Sequence, residues 1–219
     1  MANLYEKYVW EIPVRVTHWI NFLAIIVLSV TGIYIGSVKT LALQPTQYVM
    51  GWTRFVHFVA AYAFTISVLA RIYWMFVGNR YARWPEFVPF IRREGRRNMW
   101  ETLKFYIFID KKVPHPPGHN ALAGATYTLV FLLYLVMIFT GFALYTEHAP
   151  FSFMHKLTGW LFLLFSSQGM RLTHHMVMWL LIAFAIHHVY SAWLMDVKER
   201  GGVMSSIFSG YKPVKQRES

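Results

Sequence analysis

Cysteine is absent from this chain of 219 residues. That excludes disulfides, thiolate metal sites and iron–sulfur clusters held by the chain's own cysteines. With no CxxCH string, covalently attached c-type haem is excluded too. Charge is scarce: Asp, Glu, Lys and Arg make up 14 % of the residues, where an ordinary soluble domain carries about 25 %. Acidic side chains are the scarcer kind, 10 against 21 basic ones, for a formal net charge of +11. A cleavable leader is not expected, because Glu6, Glu11 and Pro13 interrupt the N-terminal segment and no small-residue cleavage site follows the first apolar run. Beyond its apolar runs the sequence shows no obvious internal repeat, so a single domain over 1–219 is expected.

What is present is apolar. Hydrophobic residues are 56 % of the chain and aromatics 18 %, with a mean hydropathy of +0.37, a composition typical of membrane proteins. Four stretches, approximately 16–36, 55–77, 122–145 and 173–195, are long enough to cross a hydrocarbon core about 30 Å thick. The first has its apolar centre at 19–35 and is extended by Val14 and Val16. A fifth apolar piece, 157–165, is too short to cross and reads as a helix lying in the interface. The expected fold is therefore all-α: an integral membrane four-helix bundle, a short interfacial helix between spans three and four, and a frayed cytoplasmic tail over 196–219. Trp52, Trp74, Trp84, Trp100, Trp160 and Trp193 read as an interfacial aromatic belt, and the eleven methionines as gap-fillers.

The basic excess is distributed by loop. Lys7 and Arg15 precede span one. Nine Lys and Arg lie between spans two and three, and five follow span four. The opposite side carries only Lys39, Arg54, Lys156 and Arg171, so sixteen face four, with Arg71 left inside span two. The positive-inside rule then puts both termini in the cytoplasm. The charge reads as a topology signal with anionic lipid headgroups as its partner, rather than as a nucleic-acid surface.

Histidine is the abundant polar residue, at ten, and ionisable groups at membrane depth are costly enough that they usually have a task. His174 and His188 are fourteen residues apart in THHMVMWLLIAFAIHHVYSAWL. On an α-helix, fourteen steps leave two side chains about 40° apart in azimuth and about 21 Å apart along the axis. The other pairings of the doublets His174-His175 and His187-His188 diverge by about 120–140°. Matching by depth pairs His18 (PVRVTHWI) with His188 towards the cytoplasm, and His57 (RFVHFVAA) with His174 towards the outside. Each pair can give two axial nitrogens to one haem iron, an arrangement suited to electron transfer. A bland account stays open for any single one, as a helix-end imidazole bonded to carbonyls or water. Four at matching depths, two on one face, weigh against it. Two pairs about 20 Å apart also make a poor four-ligand zinc or copper shell.

The other polar candidates carry two readings each. His175 and His187 stand off the shared face, where they either bond to the ligands or contact propionates. His148 and His155 fall in the outer loop, exposed or at a partner interface. His115, His119 and Asn120 lie in the proline-rich connection KKVPHPPGHN; His119 and Asn120 are candidates for a quinone pocket, while Asn120 equally suits a helix cap. Arg71 either snorkels to the cytoplasmic interface or pairs with a haem propionate. Gly32 and Gly141 allow close approach of a helix or macrocycle, yet glycine is common in membrane helices.

The strings PVRVTHW, RFVHFVAA, LARIYWMFVGNRYAR, TGFALYTEH and HHMVMWLLIAFAIHHVY resemble the b-type cytochrome subunit of membrane-bound nickel–iron uptake hydrogenases, from about Val9 to Gly210. Formate dehydrogenase gamma subunits and thiosulfate reductase cytochromes share the four-helix, two-haem plan but match these strings less well. The resemblance implies two b haems, one on His57 and His174 and one on His18 and His188. It implies a partner hydrogenase outside the inner membrane, with a large subunit and a small subunit that adds an anchor helix. It also implies a membrane quinone (menaquinone or ubiquinone) as acceptor near Asn120, although Leu122 stands where that family has a small residue. A non-haem transporter using its histidines for protons or metal is the rival from another class.

Overall fold

The computed structural model describes residues 4–37, 48–107, 109, 121–147, 152–199 and 202–215. Four long helices dominate: α1 (Ile12–Gly36), α2 (Val49–Val77), α4 (Ala121–Thr146) and α6 (Ser167–Glu199). All four are long and apolar enough to cross a membrane. Each extends past the apolar run that announces it, because flanking polar residues such as Arg15, Arg54, Arg171 and Asp196 continue the helix beyond the hydrophobic stretch. Large apolar side chains, among them Leu23, Val30, Ile66, Phe76 and Ile186, remain more than half exposed. A lipid-facing surface requires that pattern.

The chain divides into two compact units, Met1–His18 with Leu69–Phe131 and His187–Ser219, and Trp19–Val68 with Leu132–Ile186. Each unit takes one segment from each of the four long helices, and the fold is an all-α membrane bundle with one small two-stranded ribbon.

The first unit holds its N-terminal segment by a polar knot at the end of α2. The Glu11 carboxylate accepts from Trp74 Nε1 and from the Asn79 amide, both at 2.8 Å. Asn79 donates from Nδ2 to the Val9 carbonyl (2.9 Å), while its Oδ1 accepts from the amides of Tyr81 and Ala82. Asn79 thus ties the N-terminal segment to the turn that follows α2. Around the knot, Val9, Trp10, Val14, Tyr81 and Ala82 pack as a core with Trp74 and Ile207.

The C-terminal segment is ordered by the same unit. Helix α7 (Val203–Ser209) is followed by strand β2 (Tyr211–Lys215), which pairs antiparallel with β1 (Leu4–Tyr8), Leu4 opposite Lys215 and Tyr8 opposite Tyr211. Gly210 joins α7 to β2 at φ +89°, and its carbonyl accepts from the amides of Val9 and Trp10. A side chain is excluded there: a Cβ would sit 2.7 Å from the Tyr8 ring and 2.8 Å from the Trp10 carbonyl. The frayed tail expected over 196–219 is, within the described residues, a helix and a strand tied to the chain's beginning.

Two further elements refine the expectation. The interfacial piece begins earlier than 157, as α5 (Phe153–Thr158), because the Ser152 hydroxyl accepts from the His155 amide and caps the helix; a 3₁₀ turn, Gly159–Leu163, follows. The basic connection after α2 contains α3 (Arg93–Tyr106), a polar helix that no apolar run announces. Arg96 braces its first turn through the carbonyls of Phe90 and Ile91, both at 3.0 Å.

Asn79→Ala is expected to lower stability by about 2–3 kcal/mol, since it orphans the Val9 carbonyl and the Tyr81 amide. Thermal unfolding in detergent checks the loss, and limited proteolysis should cut first in the N-terminal segment.

Candidate functional site

In an apolar helix cluster a histidine places two ring nitrogens where water is scarce, and each needs a partner or a ligand. Within the second unit, α2 supplies His57 and α6 supplies His174, both half-buried. The helices that carry no histidine of this pair supply the partners. On α1, the Thr31 hydroxyl lies 2.7 Å from the Val27 carbonyl and 2.8 Å from His57 Nδ1. On α4, the Thr140 hydroxyl lies 2.6 Å from the Val136 carbonyl and 2.9 Å from His174 Nδ1. A hydroxyl has one proton and a carbonyl can only accept. With that proton donated to the carbonyl, each threonine oxygen accepts from the histidine Nδ1–H. Both imidazoles therefore keep the Nε2 lone pair for a metal.

The residue after each threonine is glycine, and it meets the same ring. A Cβ on Gly32 would stand 3.5 Å from His57 Cε1, and one on Gly141 would stand 3.1 Å from His174 Cε1. The four helix segments of this unit thus converge on two imidazoles with equivalent surroundings.

Within the first unit, His18 of α1 and His188 of α6 face each other with ring centroids 6.2 Å apart and planes inclined by 54°. Two metal–nitrogen bonds of about 2 Å each would take up about 4 Å of that interval, and two ring radii account for the rest. Tyr127 of α4 packs edge-on against His188, its ring centroid 5.9 Å away. The spacing and the donor set fit a six-coordinate iron held by two imidazoles. Among the described residues there is no group of three or more His, Cys, Asp or Glu able to hold a bare metal ion, so the donors fit a macrocycle-bound iron better than zinc or copper.

Arg71 is 7 % exposed; its guanidinium donates to the Ala82 carbonyl beyond the end of α2 at 3.3 Å and lies 5.0 Å over the Phe87 ring. Among the described residues no carboxylate forms an ion pair with it. A guanidinium has five donors and its burial is costly without an anion, so the side chain is equipped to meet one.

The other members of the doublets, His175 and His187, behave differently from His174 and His188. His175 Nδ1 bonds to the Arg171 carbonyl at 2.8 Å, within its own helix, and its ring rests against Gly36. His187 is exposed, with Nε2 3.3 Å from Ser191 Oγ. His155 stacks on Phe162 at 6.3 Å. His115, His119, Asn120 and His148 lie outside the described residues. Sequence reasoning missed Thr31, Thr140 and Tyr127. The signal available for the first two was the Thr-Gly pair repeated in VTGIY and FTGFA, on the two spans lacking a histidine of that pair.

The model of the family described as prokaryotic cytochrome b561 matches residues 9–210. Among curated proteins, a probable Ni/Fe-hydrogenase B-type cytochrome subunit of Cupriavidus necator is 42 % identical over 97 % of this chain and 89 % of its own length. Similarly named proteins of Bradyrhizobium diazoefficiens (39 %, covering 93 % of this chain and 84 % of the relative) and Escherichia coli K12 (38 %, covering 96 % and 92 %) match nearly as widely. The match spans both histidine pairs, the polar knot and the whole of α7, and such a family implies haem b in an integral membrane protein. The chain belongs to the prokaryotic cytochrome b561 family.

Proposed function

We propose that this chain is the cytochrome subunit of a membrane-bound nickel–iron hydrogenase, with two b haems, one on His57 and His174 and one on His18 and His188. The observation that carries the reading is the facing of His18 and His188 across 6.2 Å, supported by the tautomers that Thr31 and Thr140 impose on the other pair. Haems held there would supply one-electron carriers between the iron–sulfur clusters of a partner hydrogenase and a membrane quinone. The names of the relatives, Ni/Fe-hydrogenase B-type cytochrome subunits, support a nickel–iron hydrogenase as the partner; in this reading its large subunit bears the nickel–iron centre, and its small subunit with an anchor helix docks on this chain.

In this reading the His57/His174 site faces the partner on the outer side of the inner membrane, and the His18/His188 site lies towards the cytoplasm, where both termini reside. Lys and Arg clustered between α2 and α4 and after α6 favour that orientation. Arg71 meets a propionate carboxylate of the haem on His18 and His188. His119 and Asn120 border the quinone. Reduction of quinone there draws protons from the cytoplasm while hydrogen oxidation releases them outside, so charge is separated across the membrane.

A pyridine haemochrome count on the purified complex, with its subunits identified, is expected to give two haems per chain and a nickel-containing partner. A partner without nickel would replace the hydrogenase by a formate or thiosulfate enzyme, and no reducible haem bands would point to a transporter. His57→Ala or His174→Ala removes one haem, and His18→Ala or His188→Ala the other. Two intact bis-histidine spectra in His188→Ala would overturn the ligand assignment. Arg71→Gln takes a positive charge from beside one haem, so the oxidised form gains; its potential should fall by an amount corresponding to about 1–4 kcal/mol, the other staying fixed in a redox titration. Gly141→Ala pushes on His174 Cε1 from 3.1 Å and should lower haem occupancy at that site, whereas Gly32→Ala, at 3.5 Å, should leave two haems in the optical spectrum.

A further inference from the structure

Thr31-Gly32 and Thr140-Gly141 form the same device twice. In each, the threonine hydroxyl donates to the carbonyl four residues back, at 2.7 Å to Val27 and 2.6 Å to Val136, and accepts from Nδ1 of a histidine on another helix. In each, the following glycine lies against Cε1 of the same ring, at 3.5 and 3.1 Å from a would-be Cβ. Cε1 sits between the two ring nitrogens. The threonine and glycine therefore grip one edge of the imidazole and leave Nε2 directed away from the helix that grips it. Glycine within a helix is unfavourable relative to alanine; at Gly141 a methyl group would press on the ring, while at Gly32 it would meet the ring at ordinary contact distance.

We propose that these two dipeptides are positioning elements for the His57/His174 haem, and that the two hydroxyls set its reduction potential. The inference rests on the haem reading above and adds to it the residues that tune one haem separately from the other. An acceptor on Nδ1–H makes Nε2 a stronger electron donor to a bound metal, which favours the oxidised iron. The hydroxyl is polarised by its own donation to a carbonyl, so the two hydrogen bonds in each chain strengthen one another. The two threonines hold His57 and His174 alike, so on an iron held by both histidines their effects would add.

Valine has the shape of threonine without the hydroxyl, and serine keeps the hydroxyl without the methyl group. Redox titration and low-temperature electron paramagnetic resonance of the purified holo-complex therefore separate tuning from packing. In Thr31→Val and in Thr140→Val one haem potential should rise and its low-spin signal shift, with the second haem unchanged. The double variant should show roughly the sum of the two shifts. Thr31→Ser and Thr140→Ser should restore the native potential and signal. Loss of that haem in a valine variant, with retention in the matching serine variant, supports the proposal in the same way. Valine and serine variants that behave alike, whether both native or both altered, overturn it, and the two-haem reading then survives on its own count. A wild-type complex with no reducible haem bands overturns that reading and this inference with it.

Discussion

An imidazole inside an apolar helix cluster has to surrender one nitrogen to the protein before the other can be offered to a metal. Left unpaired, a buried Nδ1–H costs about 1–3 kcal/mol, and an imidazole free to exchange tautomers presents no fixed donor. Thr31 and Thr140 meet this requirement for His57 and His174 with an economical part, a hydroxyl already bonded to its own helix backbone. The rest of that unit follows from it. The threonines set which faces of α1 and α4 meet the rings, and Gly141 lets α4 approach His174 more closely than an alanine would.

Elsewhere in the same unit the packing around the rings is aromatic. Phe58 meets Tyr145 and Tyr62 meets Phe142, with centroids 4.6 and 5.2 Å apart. These ring contacts join α2 to α4. In the first unit the order is reversed: its end is built from polar contacts, with Glu11 and Asn79 binding the N-terminal segment to the end of α2 and β1 binding β2. Such polar stitching needs chain that extends beyond the apolar spans, where backbone groups must find partners outside the long helices. Arg71 stands at the inner edge of this region, its charge held by one carbonyl and an aromatic face.

Membership of the cytochrome b561 family accounts for strings whose purpose was opaque in the sequence. VGNRY is a structural clasp, since Gly78 ends α2 and Asn79 ties three separate backbone groups. TGFALY begins with a threonine and a glycine that both touch His174. Neither string could be interpreted from hydropathy, because their value lies in which neighbours they reach.

Much of the fold was legible beforehand because the physics behind it is local. A hydrocarbon-length apolar run has to be a helix, as every backbone group must be satisfied within the segment. His174 and His188 share a helix because nothing between them interrupts it, and a fixed angle per residue then selects one member of each doublet. What stayed illegible depends on contacts between distant parts of the chain. Strands β1 and β2 pair across nearly the whole sequence, and neither has an apolar pattern to announce it. Helix α3 is polar, so hydropathy passes over it. Thr31 and Thr140 look like ordinary membrane threonines bonded to the preceding turn. Only the tertiary structure, by setting one helix face against another, decided that each hydroxyl also holds a histidine. The sequence by itself determined the spans, the candidate imidazoles and their spacing, since these follow from composition and helical period; the packing of the helices decided which nitrogen His57 and His174 present.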